Sequence, residues 1–485
     1  MGTTRRTPVS EAATGTTTGT AQPAGGCHAP GHGRERARAA AARLAHAGVH
    51  GTALTWVDNA GLTRVKAVPA DKLAQAAATG VGMSPCFDVY LVDDSMTASE
   101  YIGGPDGDLR LVPDLDRLTV LFAQPGWSWA PVDRHEQDGT PYAACQRGFA
   151  RRMAARAAAE HGIELRMGFE TEWVAVRGPL PEAESEPAYP TTGPAYGMAR
   201  LVENTDYLRD VLAALSAQGV EVLQIHPEYA AGQFEVSVAP SDPVGAADLA
   251  VLVRETVRAV SLRHGLTASF APVVDPAGVG NGGHLHLSLW RDGRNLCAGG
   301  EGPFGMTREC EAFLAGVLRE LPALLALGAP SPASYLRLRP SRWAGAFRCW
   351  GLENREAALR FVAGRAAAPG GANAELKCVD AAANPYLLVG GVLAAGLAGL
   401  AGLAAGDRDA RLPAPVSGDP ALRGDQPGLP GSLDAALERF ERSGVLREAL
   451  GGPLFDAVRA VRAGEIALFE GASEREIAAA TRGRY

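Results

Sequence analysis

Residues 387–406 are twenty consecutive positions with no charged or hydrogen-bonding side chain. Few folds accommodate such a segment. As a helix it would be about 30 Å long, enough to cross a bilayer. Yet it is mostly Ala and Gly, which gain far less from lipid than Leu, Ile or Phe. We read it as a central helix enclosed by a large soluble protein. That demands a big surrounding core, which a chain of 485 residues with 46% hydrophobic content can supply. The net charge of −8 argues against a nucleic-acid surface. We therefore expect no nucleic-acid partner and no membrane.

Seven cysteines (Cys27, Cys86, Cys145, Cys297, Cys310, Cys349 and Cys378) are scattered singly, with no CxxC pair. This argues against a disulfide framework or a zinc ribbon and for the reducing cytosol. Arg5 and Arg6 are not followed by the apolar stretch of a signal peptide. The expected location is cytoplasmic.

Residues 1–33, rich in Thr, Gly, Ala and Pro, read as a disordered tail. Residues 34–135 read as a small α+β unit: a helix over 35–47, strands over 52–57 and 62–68 around an Asn59-Ala60-Gly61 turn, and a helix near 71–78. Across the boundary with the next unit, 124–142 has the composition of a connector. Residues 136–485 form the larger unit. It opens with a helix over 144–161, and strands are expected at 164–176, 221–225, 233–238, 267–273 and 284–290. Residues 412–431, with several Pro and Gly, read as a surface loop. No internal repeat is visible.

Five short runs carry chemistry. In Gly168-Phe-Glu-Thr-Glu-Trp173, strand alternation puts Glu170 and Glu172 on one face. In Ile225-His-Pro-Glu-Tyr-Ala-Ala-Gly-Gln-Phe-Glu235, Glu228 sits in a Gly-containing loop and Glu235 opens an apolar strand, where a carboxylate needs a positive partner. In Asn281-Gly-Gly-His-Leu-His-Leu-Ser288, His284, His286 and Ser288 share a face. Arg337, Arg339, Arg342, Arg348, Arg355 and Arg360 are interleaved with Trp343, Phe347 and Trp350, a pattern of partly buried guanidiniums. Last comes Ala374-Glu-Leu-Lys377, followed by Asp380. Taken singly, each reads as well as a solvated strand face or a structural His. Together they describe a site with carboxylates and His for divalent metals and Arg for anionic substrates, the equipment of phosphoryl transfer. No GxxxxGK[ST] loop and no dinucleotide GxGxxG is present.

In order and spacing these motifs resemble the glutamine synthetase superfamily, from about residue 50 to 405. Lys66-Ala-Val-Pro69 and Val112-Pro-Asp114 are similar to its N-terminal β-grasp domain. Ser334-Tyr-Leu-Arg-Leu, Glu353-Asn-Arg-Glu-Ala-Ala-Leu-Arg360 and Asn384-Pro-Tyr-Leu387 join the runs above as its catalytic motifs. The resemblance implies an α+β protein with a small β-grasp domain and a large catalytic domain built on a curved, mainly antiparallel sheet. It also implies a homo-oligomer of hexameric rings, single or stacked.

By the same resemblance, Glu172, Glu228 and Glu235 would hold one metal, and Glu170, His284 and Glu375 a second. Mg²⁺ or Mn²⁺, two or three per site, fits those ligands. His286, Ser288, Arg360 and Lys377 would lie near ATP, and Gly282 near the acid substrate. Arg337 and Arg355 would bind the acid and its acyl-phosphate. The implied reaction is ATP-dependent: a carboxylate, glutamate by the resemblance, is phosphorylated, and an amine then displaces phosphate to form an amide.

The departures are local. The family's flap reads Arg-Leu-Val-Pro-Gly-Tyr-Glu-Ala-Pro, whose Glu closes over the ammonium site; here Arg337-Leu-Arg-Pro-Ser-Arg-Trp-Ala-Gly345 puts Trp343 in that place. The ammonium-binding Asp-Gly-Ser-Ser is not recognisable in 81–96, Asn373 stands where a basic residue is usual, and Lys377 replaces an arginine. These favour a γ-glutamyl amide of an organic amine over ordinary glutamine; on the opposing reading Trp343 only packs the flap and another acid, such as Asp94 or Glu353, takes over. The remaining alternatives are an ordinary glutamine synthetase and an inactive relative with a binding role.

Overall fold

Two sheets organise the described residues of the computed structural model, which are 30–181, 185–365 and 367–485. Most of the expected 1–33 tail lies outside these. Residues 30–33 begin the helix Pro30–His46 instead.

The first sheet contains β1 (Gly51–Val57), β2 (Thr63–Pro69), β3 (Val81–Met83), β4 (Leu109–Pro113), β5 (Thr119–Val120) and β6 (Trp127–His135). Its order is β2-β1-β6-β4-β3, with β5 on β6. Only the β1–β6 pair is parallel. Residues 127–135 are thus the middle strand of this sheet, not the connector their composition suggested. Trp129, Ala130 and Val132 are buried along it, and that burial outweighs the turn-forming residues around it.

The second sheet contains β7 (Glu164–Arg177), β8 (Val222–Pro227), β9 (Gln233–Val238), β10 (Leu266–Ser269), β11 (Leu285–Arg291), β12 (Arg294–Asn295), β13 (Phe347–Leu352), β14 (Ala357–Val362) and β15 (Asn373–Leu376). It runs β13-β14-β15-β11-β7-β9-β8, with β10 on β7 and β12 on β11. All pairs are antiparallel except β13–β14. The strand expected over 267–273 is shorter, ending at Ser269, and the 412–431 loop contains a single helical turn, Pro420–Arg423.

The apolar segment is the helix Pro385–Ala404, with Leu387, Leu388, Val392, Leu393 and Leu397 buried. Asn384 caps it, accepting from the amides of Tyr386 and Leu387, while its Nδ2 donates to the carbonyls of Val57 and Asp58 at the end of β1. One side-chain amide therefore ties the central helix to the first sheet. The helix packs against Arg308–Gly328 and Gln146–His161. Small residues set that distance: a Cβ on Gly399 would stand 2.0 Å from the Ala312 carbonyl oxygen. One apolar cluster then runs from Leu54 through Trp173 and Leu393 to Tyr485, so both sheets share a core.

Gly399→Ala forces these helices apart and should destabilise the fold by about 1–3 kcal/mol, as overpacking does. The check is the denaturant midpoint, and an unchanged midpoint would contradict contact this close.

Candidate active site

The site is built from two rows of side chains across the second sheet. Alternation puts Gly168, Glu170 and Glu172 on one face of β7. The register then sets Glu172 opposite Glu235 of β9, and Glu235 opposite His226 of β8. On the other side of β7, Gly168 faces His286 of β11, which faces Glu375 of β15, which faces Arg360 of β14. Directly opposed side chains in antiparallel strands are about 5 Å apart at Cβ, and like charges there repel.

Glu170 lies between the rows. Its Oε2 is 3.1 Å from His284 Nδ1 and its Oε1 is 3.1 Å from His286 Nε2. His284 Nδ1 is also 3.4 Å from Glu375 Oε1, and its Nε2 is 3.8 Å from Glu172 Oε1. Arg360 Nη1 donates to Glu375 Oε2 at 2.9 Å, and Lys377 Nζ to its Oε1 at 3.1 Å. This end of the site is charge-compensated. Burial pushes Glu170 up, but the two imidazoles hold it well below the carboxylate range. Burial likewise opposes ionisation of Glu375, yet Lys377 and His284 bring it to about 2.

The other end is less compensated. Glu172, Glu228 and Glu235 are all buried; His284 stands 3.8 Å from Glu172 Oε1, and His226 3.7 Å from Glu228 Oε1 and 3.5 Å from Glu235 Oε1. Burial pushes Glu172 up against the pull of His284, with Glu235's charge adding to the rise; burial and then Glu172's charge push Glu228 to about 7. Buried carboxylates that repel one another are a cation site by chemistry. Two sets each bring three ligand atoms within 4.8 Å of one another: His226, Glu228 and Glu235, and Glu170, His286 and Glu375. The donors therefore fit divalent cations.

The other residues singled out in the sequence distribute as follows. Arg337 is buried, with Nη2 near His284 Nε2 (3.1 Å) and the Lys377 carbonyl (2.9 Å), and its Nη1 has no partner. Arg355 is exposed on the cleft wall. The Gly282 amide donates to Glu172 Oε2 at 2.8 Å, and a Cβ there would meet His284 Nε2 at 2.4 Å, so only glycine fits. Ser288 accepts from Trp290 Nε1 and does not line the cleft. His286 Nδ1 sits 2.9 Å from Asn373 Oδ1.

Three site residues had been given no role. His226 shares Glu228's strand parity, a signal available in advance. Gln233 donates to Glu172 Oε2 at 3.0 Å and also reaches Asn281 Oδ1 at 3.0 Å. Tyr196 donates to Glu228 from a long loop that offered no pattern.

Both rows border a cleft of about 740 Å³, lined by Glu170, Glu172, Glu228, Glu235, His284 and Arg337 among others. Trp343 stands at its edge, 58% exposed at φ +53°, with its amide donating to Glu356 Oε1 at 2.6 Å. Tyr196 and Tyr229, each 57% exposed, line the same cleft. Asp94 lies elsewhere, paired with Arg64 and Arg484, and Glu353 pairs with Arg360.

A profile described as "Glutamine synthetase, catalytic domain" matches residues 143–478. Gamma-glutamylpolyamine synthetase GlnA3 of Streptomyces coelicolor is 58% identical over 460 residues, covering 93% of this chain and 97% of that protein. Among solved structures, a "novel glutamine synthase homolog" superposes with TM-score 0.80 at 32% identity, covering 90% of this chain and 99% of its own. A GmaS/ADP complex gives TM-score 0.77 at 27% identity, covering 90% and 97%.

Glu235→Gln removes the charge facing both Glu172 and His226. Without metal, the variant should gain up to about 1 kcal/mol of stability from lost repulsion. It should also lose most of the rise in melting temperature that Mn²⁺ or Mg²⁺ gives the parent, as read by thermal unfolding with and without the ion. An equal metal-induced rise in the variant would exclude Glu235 as a ligand.

Proposed function

Because the chain belongs to the glutamine synthetase family, we propose that it makes γ-glutamyl amides of polyamines. It is an ATP-dependent carboxylate–amine ligase, the activity class of the family and of its 58%-identical relative. Glutamate as the acid and a polyamine as the amine are our reading.

The observation that carries this reading is the aromatic mouth of the cleft. Trp343, Tyr196 and Tyr229 are each more than half exposed there. Such rings pack against methylene segments and hold ammonium groups over their faces, and a polyamine alternates those two groups. An ammonium ion is small and hydrated and needs a nearby carboxylate, and the flap offers Trp343 where the family pattern has Glu.

Glu172, Glu228 and Glu235, with His226, and Glu170, His284 and Glu375, with His286, are the residues we assign to Mg²⁺ or Mn²⁺, two or three per site, which neutralise the phosphates of ATP. Arg337 lines the cleft and keeps a buried Nη1 with no partner among the described residues, and Arg355 is exposed on the cleft wall. We assign both to the glutamate and to its γ-acyl-phosphate, whose oxygens match guanidinium geometry. Arg360, Lys377 and His286 lie on the nucleotide side. Ser288, turned to Trp290, is assigned no contact. Gly282 keeps the approach to Glu172 open. The uncharged amine of the bound polyamine attacks the acyl carbon, the C–O bond to phosphate breaks with its electron pair leaving on phosphate, and the proton shed by the nitrogen passes to the departing phosphate or to solvent as the amide forms. Hexameric rings and a cytoplasmic location complete the proposal.

Steady-state rates should show putrescine or spermidine with kcat/KM at least about tenfold above ammonia, a margin of roughly 1.4 kcal/mol. Trp343→Ala should raise the polyamine KM by about 3–30-fold, the range of one cation–π contact, with kcat little changed. Ammonia outperforming every polyamine tested would contradict the reading.

A further inference from the structure

A second cavity, of about 250 Å³, shares no lining residue with the cleft and lies where the β1–β2 turn meets the helix Pro243–Arg263 and residues 483–485. Four guanidiniums line it: Arg64, Arg254, Arg258 and Arg484. Three carboxylates answer them. Asp58 Oδ2 is 2.7 Å from Arg64 Nε; Asp94 pairs with Arg64 at 2.6 Å and with Arg484 at 3.0 Å; Glu255 lies 3.3 Å from Arg258.

Arg254 is left over. It is 5% exposed, and only its Nη1 is engaged, on the carbonyl of Ala381. Its Nε and Nη2 are buried with no partner among the described residues. Those two nitrogens form one edge of the guanidinium, the edge that takes two oxygens of a phosphate or carboxylate side-on. Burial lowers this arginine to about 10, so it remains a cation at neutral pH. Buried donors are almost always satisfied, and an unfilled charged fork beside a cavity is the exception that asks for a ligand.

We propose that this cavity binds a small oxyanion of orthophosphate size, gripped side-on by Arg254 with Arg258 at the rim. The cavity is too small for a nucleotide, since ligand pockets for drug-sized molecules begin at about 300 Å³. Occupancy links the β1–β2 turn, the long helix and the last residues through one anion.

The experiment is calorimetric titration of the full chain with orthophosphate. The catalytic cleft is kept filled by a non-hydrolysable ATP analogue and Mg²⁺, and ionic strength is held constant with KCl. The parent should bind phosphate and melt higher with it. Arg254→Met should weaken binding by about tenfold or more, and Arg254→Lys should recover part of it, keeping the charge without the fork. Should Arg254→Met fail to bind the ATP analogue, and so be misfolded, Arg258→Gln decides, with a loss of about threefold expected from a more exposed contact. Equal phosphate affinity in the parent and the deciding variant overturns the proposal. So does a parent that binds no phosphate at millimolar concentration but dissociates into smaller species on Arg254→Met, because the fork is then filled by a carboxylate of a second copy.

Discussion

Glu172 and Glu235 face each other across two strands, buried, with Glu228 beside them and two imidazoles, His226 and His284, to offset three charges. Sheet geometry fixes that repulsion: once β7 and β9 pair in this register, neither carboxylate can turn away without leaving the cleft. Cations drawn to this end relieve it. The repulsion and the attraction for a positive ligand are one physical fact, and the cleft around it follows.

The opposite end is arranged in reverse. Glu375 is compensated by Lys377, Arg360 and His284, and Glu170 by two imidazoles. A gradient from excess negative to balanced charge therefore runs across a few strands. Cations fit the first end, and oxyanions fit the second, where Arg337, Arg360 and Lys377 stand. The helix Pro385–Ala404 supports this from below: Asn384 fixes its start to β1, and Asp380, just before it, lies buried beneath Arg337, whose charge opposes the rise that burial causes. The scaffold stays rigid where charges are crowded because its core is continuous across both sheets.

Much of this was legible in the sequence because it depends on parity. Strand alternation alone placed Glu170 with Glu172 and His284 with His286, and the strand over 233–238 has those bounds. An uninterrupted apolar run identified the buried helix. What parity cannot supply is register between distant strands. That register groups His226 with Glu228 and Glu235, and His286 with Glu170 and Glu375. The same gap hid the middle strand of the first sheet, where Pro131 and flanking Gly and Asp resemble a linker until Trp129 and Val132 find a core. Tyr196, from a loop without periodicity, and Arg254, facing residues more than two hundred positions away, carried no local signal at all.

The central claim is that this cleft activates a carboxylate as its acyl-phosphate before an amine arrives. Glutamate labelled with oxygen-18 in the γ-carboxylate tests it directly, with ATP, Mg²⁺ and a polyamine present. One label should appear in the released phosphate for each amide formed, because the attacking carboxylate oxygen leaves with the phosphoryl group. Amide formation with unlabelled phosphate would contradict the account.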